Sequence, residues 1–138
     1  MAQLNKKKYA QLIILFIFSF LINFLLANKG VSVIDTFLHY DSASRILEGN
    51  IAIRDYWIVH GLTLDYIQAL LFYLFGVNWI AYIFHSSIFN GIITVFTFLF
   101  FTHNGLKNVY SFFLSISFAI LAYPVSGTPF LDHHATFF

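Results

Sequence analysis

Long uncharged runs flank one polar stretch along this chain. Tyr9–Ala27 holds 19 residues without a charge, which at 1.5 Å per residue covers most of a ~30 Å hydrocarbon core. The pattern predicts a first transmembrane helix over 9–27. It should stay uncleaved, because Leu25-Leu26-Ala27 lacks the small residue a leader-cleavage site needs at minus three. Trp79–Phe101, 23 residues opened by an interfacial Trp, predicts a second span, and Val109–Val125, 17 residues with Pro124 near its end, a third. Leu62–Phe75 is apolar too, but its 14 residues make only about 21 Å of helix. Its first half also carries Asp65 and Gln68. The expectation is an interfacial helix that does not cross.

The polar stretch, 28–78, then becomes an outer loop with two interfacial helices, 36–48 and 62–75. Asp35 is a preferred N-cap type and Gly49 a preferred C-cap type, which marks the first of them. Within it Phe37, Tyr40, Ile46 and Leu47 suit the membrane interface. Asp35, His39 and Ser42 share another face, and Asp41, Arg45 and Glu48 form a stripe of surface charges. After the third span, 126–134 reads as a second outer loop and 135–138 as the start of a fourth span. The expected fold is therefore an all-α membrane protein, a single membrane-embedded domain and the N-terminal fragment of a longer polytopic protein.

Composition sharpens this. Hydrophobic types make up 59% of the 138 residues and charged types 9%, with 19 Phe, whereas a soluble domain carries roughly 25% charged residues. The lipid bilayer is the first partner implied. A net charge of +1 with no basic face excludes nucleic acid, and the absence of Cys excludes thiolate metal sites. Eight of the thirteen charges fall between Lys29 and Asp65, and three are Lys6, Lys7 and Lys8. The lysine triplet predicts a cytoplasmic N-terminus in an inner (cell) membrane, multi-pass protein. Lys107 should then lie in the cytoplasm, and Asp132 on the same outer side as the polar stretch.

Three groups carry candidate chemistry. Asp35 is either a helix cap or a working carboxylate. Arg54-Asp55-Tyr56-Trp57 followed by His60-Gly61 is either an interfacial belt with Arg54 paired to Asp55 or an anion site, since guanidinium suits phosphate, and His60 could bind an anion or a metal. Asp132-His133-His134 is either a capped helix start or part of a divalent-cation site, Asp oxygen suiting Mg²⁺ or Mn²⁺ and imidazole Mn²⁺ or Zn²⁺. His85 and Asn90, inside the second span, read as helix–helix glue, and His103 as a solvated loop residue.

The run of Asp35, Gly49, Ile53-Arg54-Asp55-Tyr56-Trp57, His60-Gly61-Leu62 and Leu74-Phe75-Gly76 resembles the first outer loop of GT-C glycosyltransferases. That superfamily includes the protein O-mannosyltransferases and the lipid A aminoarabinose transferases. The resemblance covers about 10–138 and includes an outer-face helix after the His-Gly element and a second acidic motif where Asp132 stands. Thr36 replaces the usual Glu, Ala52 a Pro, and Leu62 stands directly after His60-Gly61 where relatives place Pro. The resemblance implies transfer of a sugar from a polyprenyl-phosphate donor to an acceptor at the outer face of the cell envelope. It implies Asp35 as base, with Asp132 as the second catalytic carboxylate. It implies Arg54 and His60 at the donor phosphate and His39 and Asp55 in support. A divalent ion, Mg or Mn, would be held by Asp35, Asp132 and His133. The alternative from another class is a non-catalytic polytopic protein or transporter fragment whose outer loop binds a partner or an ion. Loss of the acidic residue at Thr36 keeps open a third, a member of the fold without activity.

Overall fold

The computed structural model describes residues 6–29, 36–58 and 60–137. In chain order its helices are α1 (Lys6–Ala27), α2 (Leu38–Leu47), α3 (Thr63–Phe75), α4 (Trp79–His103), α5 (Asn108–Leu121) and α6 (Leu131–Phe137), with a 3-10 turn at Tyr123–Val125 between the last two. Three segments are long and apolar enough to cross a membrane: Lys6–Ala27, Trp79–His103 and Asn108–Val125. α3, at 13 residues, is not, as its length foretold.

Apolar surface cannot drive helices together in lipid, so the spans are joined by small and polar residues. α1 and α4 run antiparallel along such a stripe. The Ser19 hydroxyl donates to the Asn90 carbonyl at 2.8 Å and meets the Thr94 hydroxyl at 2.8 Å. The Asn90 amide donates back to the Ser19 carbonyl at 2.9 Å and to the Ala119 carbonyl of α5 at 3.1 Å. One side chain thus ties three spans, the glue role its position suggested. Nearer the other end, the Asn23 amide group lies 3.0 Å from the hydroxyls of Ser86 and Ser87. Gly91 lets Phe16 lie flat against α4, since a Cβ there would stand 2.7 Å from the ring.

α2 and α3 pack side by side at one end of this bundle, over the first turns of α4. Their shared core is Ala43, Ala69, Phe72, Ala81 and Tyr82. Tyr40 stacks edge-on against Phe72 and Tyr82 at 4.9 and 5.2 Å. Tyr40 and Ile46, expected at the membrane interface, therefore turn inward against this core, while Phe37 and Leu47 are exposed. The joint between α3 and α4 is made by Asn78. Its amide donates to the carbonyls of Phe75 and Gly76 at 2.9 and 3.1 Å, and its carbonyl accepts from the Ala81 N–H at 2.9 Å. One side chain ends α3 and caps α4.

The remaining boundaries differ from expectation for local reasons. α2 starts two residues later than the pattern implied, with Phe37 at its N-cap and no side-chain cap; Asp35 lies outside the described residues. α5 stops at Leu121 and continues only as the 3-10 turn, because Pro124 lacks the N–H that would extend the α-helix; the break falls at Ala122, with φ −76° and ψ −107°. Residues 131–134, expected in a loop, are the first turn of α6, with Asp132 in it. The 126–134 segment sits at the same end as α2 and α3. The Ser86 hydroxyl donates to the Gly127 carbonyl at 2.7 Å, and the rings of His85 and His134 are 5.2 Å apart. At the opposite end Lys8 and His103 line one cavity of about 570 Å³. The polar stretch and Asp132 thus share one end of the bundle and Lys8 marks the other.

Candidate functional site

The apolar face of α2 carries His39, Ser42 and Ala43, all buried, at the i, i+3, i+4 spacing of one helical stripe. The buried face of α3 carries Leu64, Asp65, Gln68, Ala69 and Phe72. Docking these two stripes encloses polar groups. His39 Nδ1 lies 2.6 Å from Asp65 Oδ1. His60, in the segment just before α3, brings Nε2 to 3.0 Å from both oxygens of the same carboxylate. The two imidazole rings stand 4.4 Å apart at 74°. Side-chain exposure is 0% for Asp65, 2% for His39 and 3% for His60.

A carboxylate removed from water needs a cation or several donors close by. The nearby arginines do not supply them. Arg45 is exposed and pairs with Asp41 one turn away at 2.8 Å. Arg54 is exposed and pairs with Asp55 at 2.7 Å. The two imidazoles are the partners of Asp65 among the described residues.

One turn further along α3 the network continues. The Gln68 amide donates to the Ala81 carbonyl at 3.5 Å, so its oxygen accepts from His85 Nδ1 at 2.9 Å. That arrangement places the His85 proton on Nδ1 and leaves a lone pair on Nε2, which is buried with no hydrogen-bond partner among the described residues. The His85 ring packs on Phe89 at 5.0 Å, and Tyr123 stacks edge-on against His134 at 5.1 Å. Burial pushes His134 down to about 4. His133 is also lowered by burial, against the opposing pull of Asp132.

The candidate residues read from the sequence separate into three places. His39 and His60 come together on Asp65, a residue the sequence reading passed over. His60 turns inward to this carboxylate, so its ring is not displayed beside Arg54. Arg54 and Asp55 occupy an exposed turn where Ile53 adopts φ 72°, a strained conformation for a β-branched residue. The Asp55 carboxyl is held below its usual range by the Arg54 guanidinium and then by the Ile51 N–H, which donates to it at 2.7 Å. Trp57 is 82% exposed, as an interfacial anchor should be. Asp132 is exposed, and His133 Nδ1 lies 3.1 Å from the Ser126 hydroxyl. Asp132 and His133 therefore join no three-ligand group among the described residues; the group that converges is His39, His60 and Asp65.

Asp65 was detectable in principle. Asp65 and Gln68 fall three apart, on the same helical face as Leu64, Ala69 and Phe72. Polar residues on the apolar stripe of a helix signal a polar interior, whereas counting them as mere polarity assigned them to water. No protein-family model matches this chain, and no curated protein or solved structure matches it either.

Proposed function

We propose that this chain belongs to a membrane glycosyltransferase of the GT-C type, which moves a sugar from a polyprenyl-phosphate carrier to an acceptor at the outer, periplasmic face. The observation that carries the reading is the short pair α2 and α3, laid side by side between two spans without crossing and closed over a buried carboxylate. A lipid-carried donor needs polar groups at the level of the headgroups. The lysine triplet then puts the opposite end of the bundle in the cytoplasm.

In this reading Asp35 accepts the proton of the acceptor hydroxyl or amine as its oxygen or nitrogen bonds to the anomeric carbon. The bond from that carbon to the phosphate oxygen breaks, and the lipid phosphate leaves with the electron pair. Arg54, exposed on the turn after α2, offers its guanidinium to the phosphate as charge develops there; Asp55 holds it in place beforehand. His39 and His60 support from behind, on Asp65. Asp35 lies outside the described residues, and Asp132 and His133 meet no third ligand among the described ones. No step of the transfer is assigned to the Mg or Mn ion implied by the resemblance.

The experiment is sugar transfer by the full-length protein in membranes, assayed with a short-chain polyprenyl-phosphate sugar. Asp35→Asn should abolish transfer while expression and insertion stay normal, since an amide matches the carboxylate in shape and cannot take the proton. Near-normal transfer by this variant would remove Asp35 from the chemistry and the reading with it.

A further inference from the structure

We propose that His39, His60 and Asp65 form a binding site for a borderline divalent metal ion of the Zn²⁺ class. The site involves neither Asp35, Asp132 nor His133, and its test reads metal binding without sugar transfer.

Three separate pieces of chain supply the donors: α2 gives His39, the segment before α3 gives His60, and the first turn of α3 gives Asp65. The ligand atoms all lie within 4.8 Å of one another. On a tetrahedral zinc ion, with bonds near 2.0–2.2 Å, ligand atoms stand about 3.3 Å apart. The contacts of 2.6 and 3.0 Å therefore need to open by about 0.7 and 0.3 Å. Both imidazoles aim a ring nitrogen at the same oxygen, Asp65 Oδ1, so the donors surround a point instead of forming a chain. His60 makes its ring hydrogen bonds to Asp65 alone, its Nδ1 being buried and without a hydrogen-bond partner among the described residues. Its orientation is thus set by this one edge.

The donor set selects the ion. Two imidazoles and one carboxylate favour zinc and its neighbours over Mg²⁺ and Ca²⁺, which take oxygen. Neither arginine in the polar stretch neutralises Asp65, and a divalent cation does so directly. Three protein ligands also leave a fourth position, the mark of zinc sites that bind water or a substrate atom. Gln68, one turn beyond Asp65, anchors this face of α3 to Ala81 and His85 of α4, which holds the carboxylate in register with the imidazoles.

The test uses the full-length protein in detergent micelles, without a polyhistidine tag, stripped with a chelator and titrated with Co²⁺ and then Zn²⁺. About one ion per chain should bind, with the visible Co²⁺ absorption of a low-coordinate site, and X-ray absorption at the zinc edge should count two imidazole ligands. His60→Ala and Asp65→Asn should weaken binding at least about 10-fold, while Asp132→Asn and His133→Ala leave it unchanged. A wild-type protein that takes up no ion overturns the proposal. So does binding that survives His60→Ala and fails in Asp132→Asn or His133→Ala. If the His60 and Asp65 variants do not fold, the wild-type imidazole count decides: two supports the site, and one or none overturns it.

Discussion

The seam between α1 and α4 and the layer between α2 and α3 both bury polar side chains, yet they bury different kinds. The seam holds Ser19, Asn23, Ser86, Ser87, Asn90 and Thr94, all fully buried and none titratable. Most of their groups are paired across the helices, and the result is adhesion in a solvent where apolar contact gives none. The layer holds His39, His60 and Asp65, which carry protons and charge, and a carboxylate served by two imidazoles. Hydroxyls and amides suffice to hold helices together. A carboxylate in the interior is costly for that purpose and is better explained by what it can hold.

The largest effect should come where Gly127 closes one end of the seam, its carbonyl accepting from the Ser86 hydroxyl. Gly127 has φ 72°, and a Cβ there would lie 2.9 Å from the Cα of Ala27, a backbone atom that cannot swing away. Gly127→Val should cost about 3 kcal/mol or more, read as a drop in unfolding temperature in micelles. A tolerated valine would mean that the seam is loose at this end.

Acid should next separate the seam from the titratable groups that continue the layer's network, where the His134 ring of α6 lies 5.2 Å from that of His85. The folded pKa of His134, about 4, lies below the ~6.5 of a free imidazole, so the unfolded chain takes up the proton first. Stability is full above about pH 6.5 and declines as the pH falls toward 4, by up to about 3 kcal/mol. Thermal unfolding at pH 7.5 and pH 4.5 measures it, and His134→Phe should remove that share of the acid sensitivity. The seam, having no titratable group, should respond equally at both values. Asn90→Ala, which deletes donors to Ser19 and Ala119, should cost about 1–2 kcal/mol at either pH. A strongly pH-dependent Asn90→Ala penalty would dissolve the distinction between seam and layer.

Length and charge alone made the three long apolar helices legible, because a run of some twenty apolar residues has few alternatives. The same arithmetic kept α3 from being taken as a crossing. The Arg54–Asp55 pair was legible because the partners are adjacent. What the chain hid was the partner of His39 and His60. Asp65 is 26 positions from His39, and they meet only because two amphipathic faces dock, which no local pattern states. The start of α2 was misplaced for a related reason: it was set from Asp35 as a cap type, but Tyr82 of α4 donates its hydroxyl to the Thr36 carbonyl, a tertiary contact that helps set the path into the helix. Asp132-His133-His134 are consecutive, and helical geometry turns neighbours about 100° apart. Asp132 faces out, and His134 is buried.

The α1–α4 seam also has a history written into it. Ser19 finds its partners 71 and 75 positions later in the chain, and Asn23 finds its own 63 and 64 positions later. At ribosomal rates of about 5–20 residues per second, that is a wait of roughly 4–14 seconds for Ser19. During this interval α1 is complete, apolar enough to enter the bilayer, and marked by polar groups that lipid cannot satisfy. Those groups make α1 a docking template before α4 exists, and they give the newborn helix a reason to linger at the insertion machinery until its mate emerges.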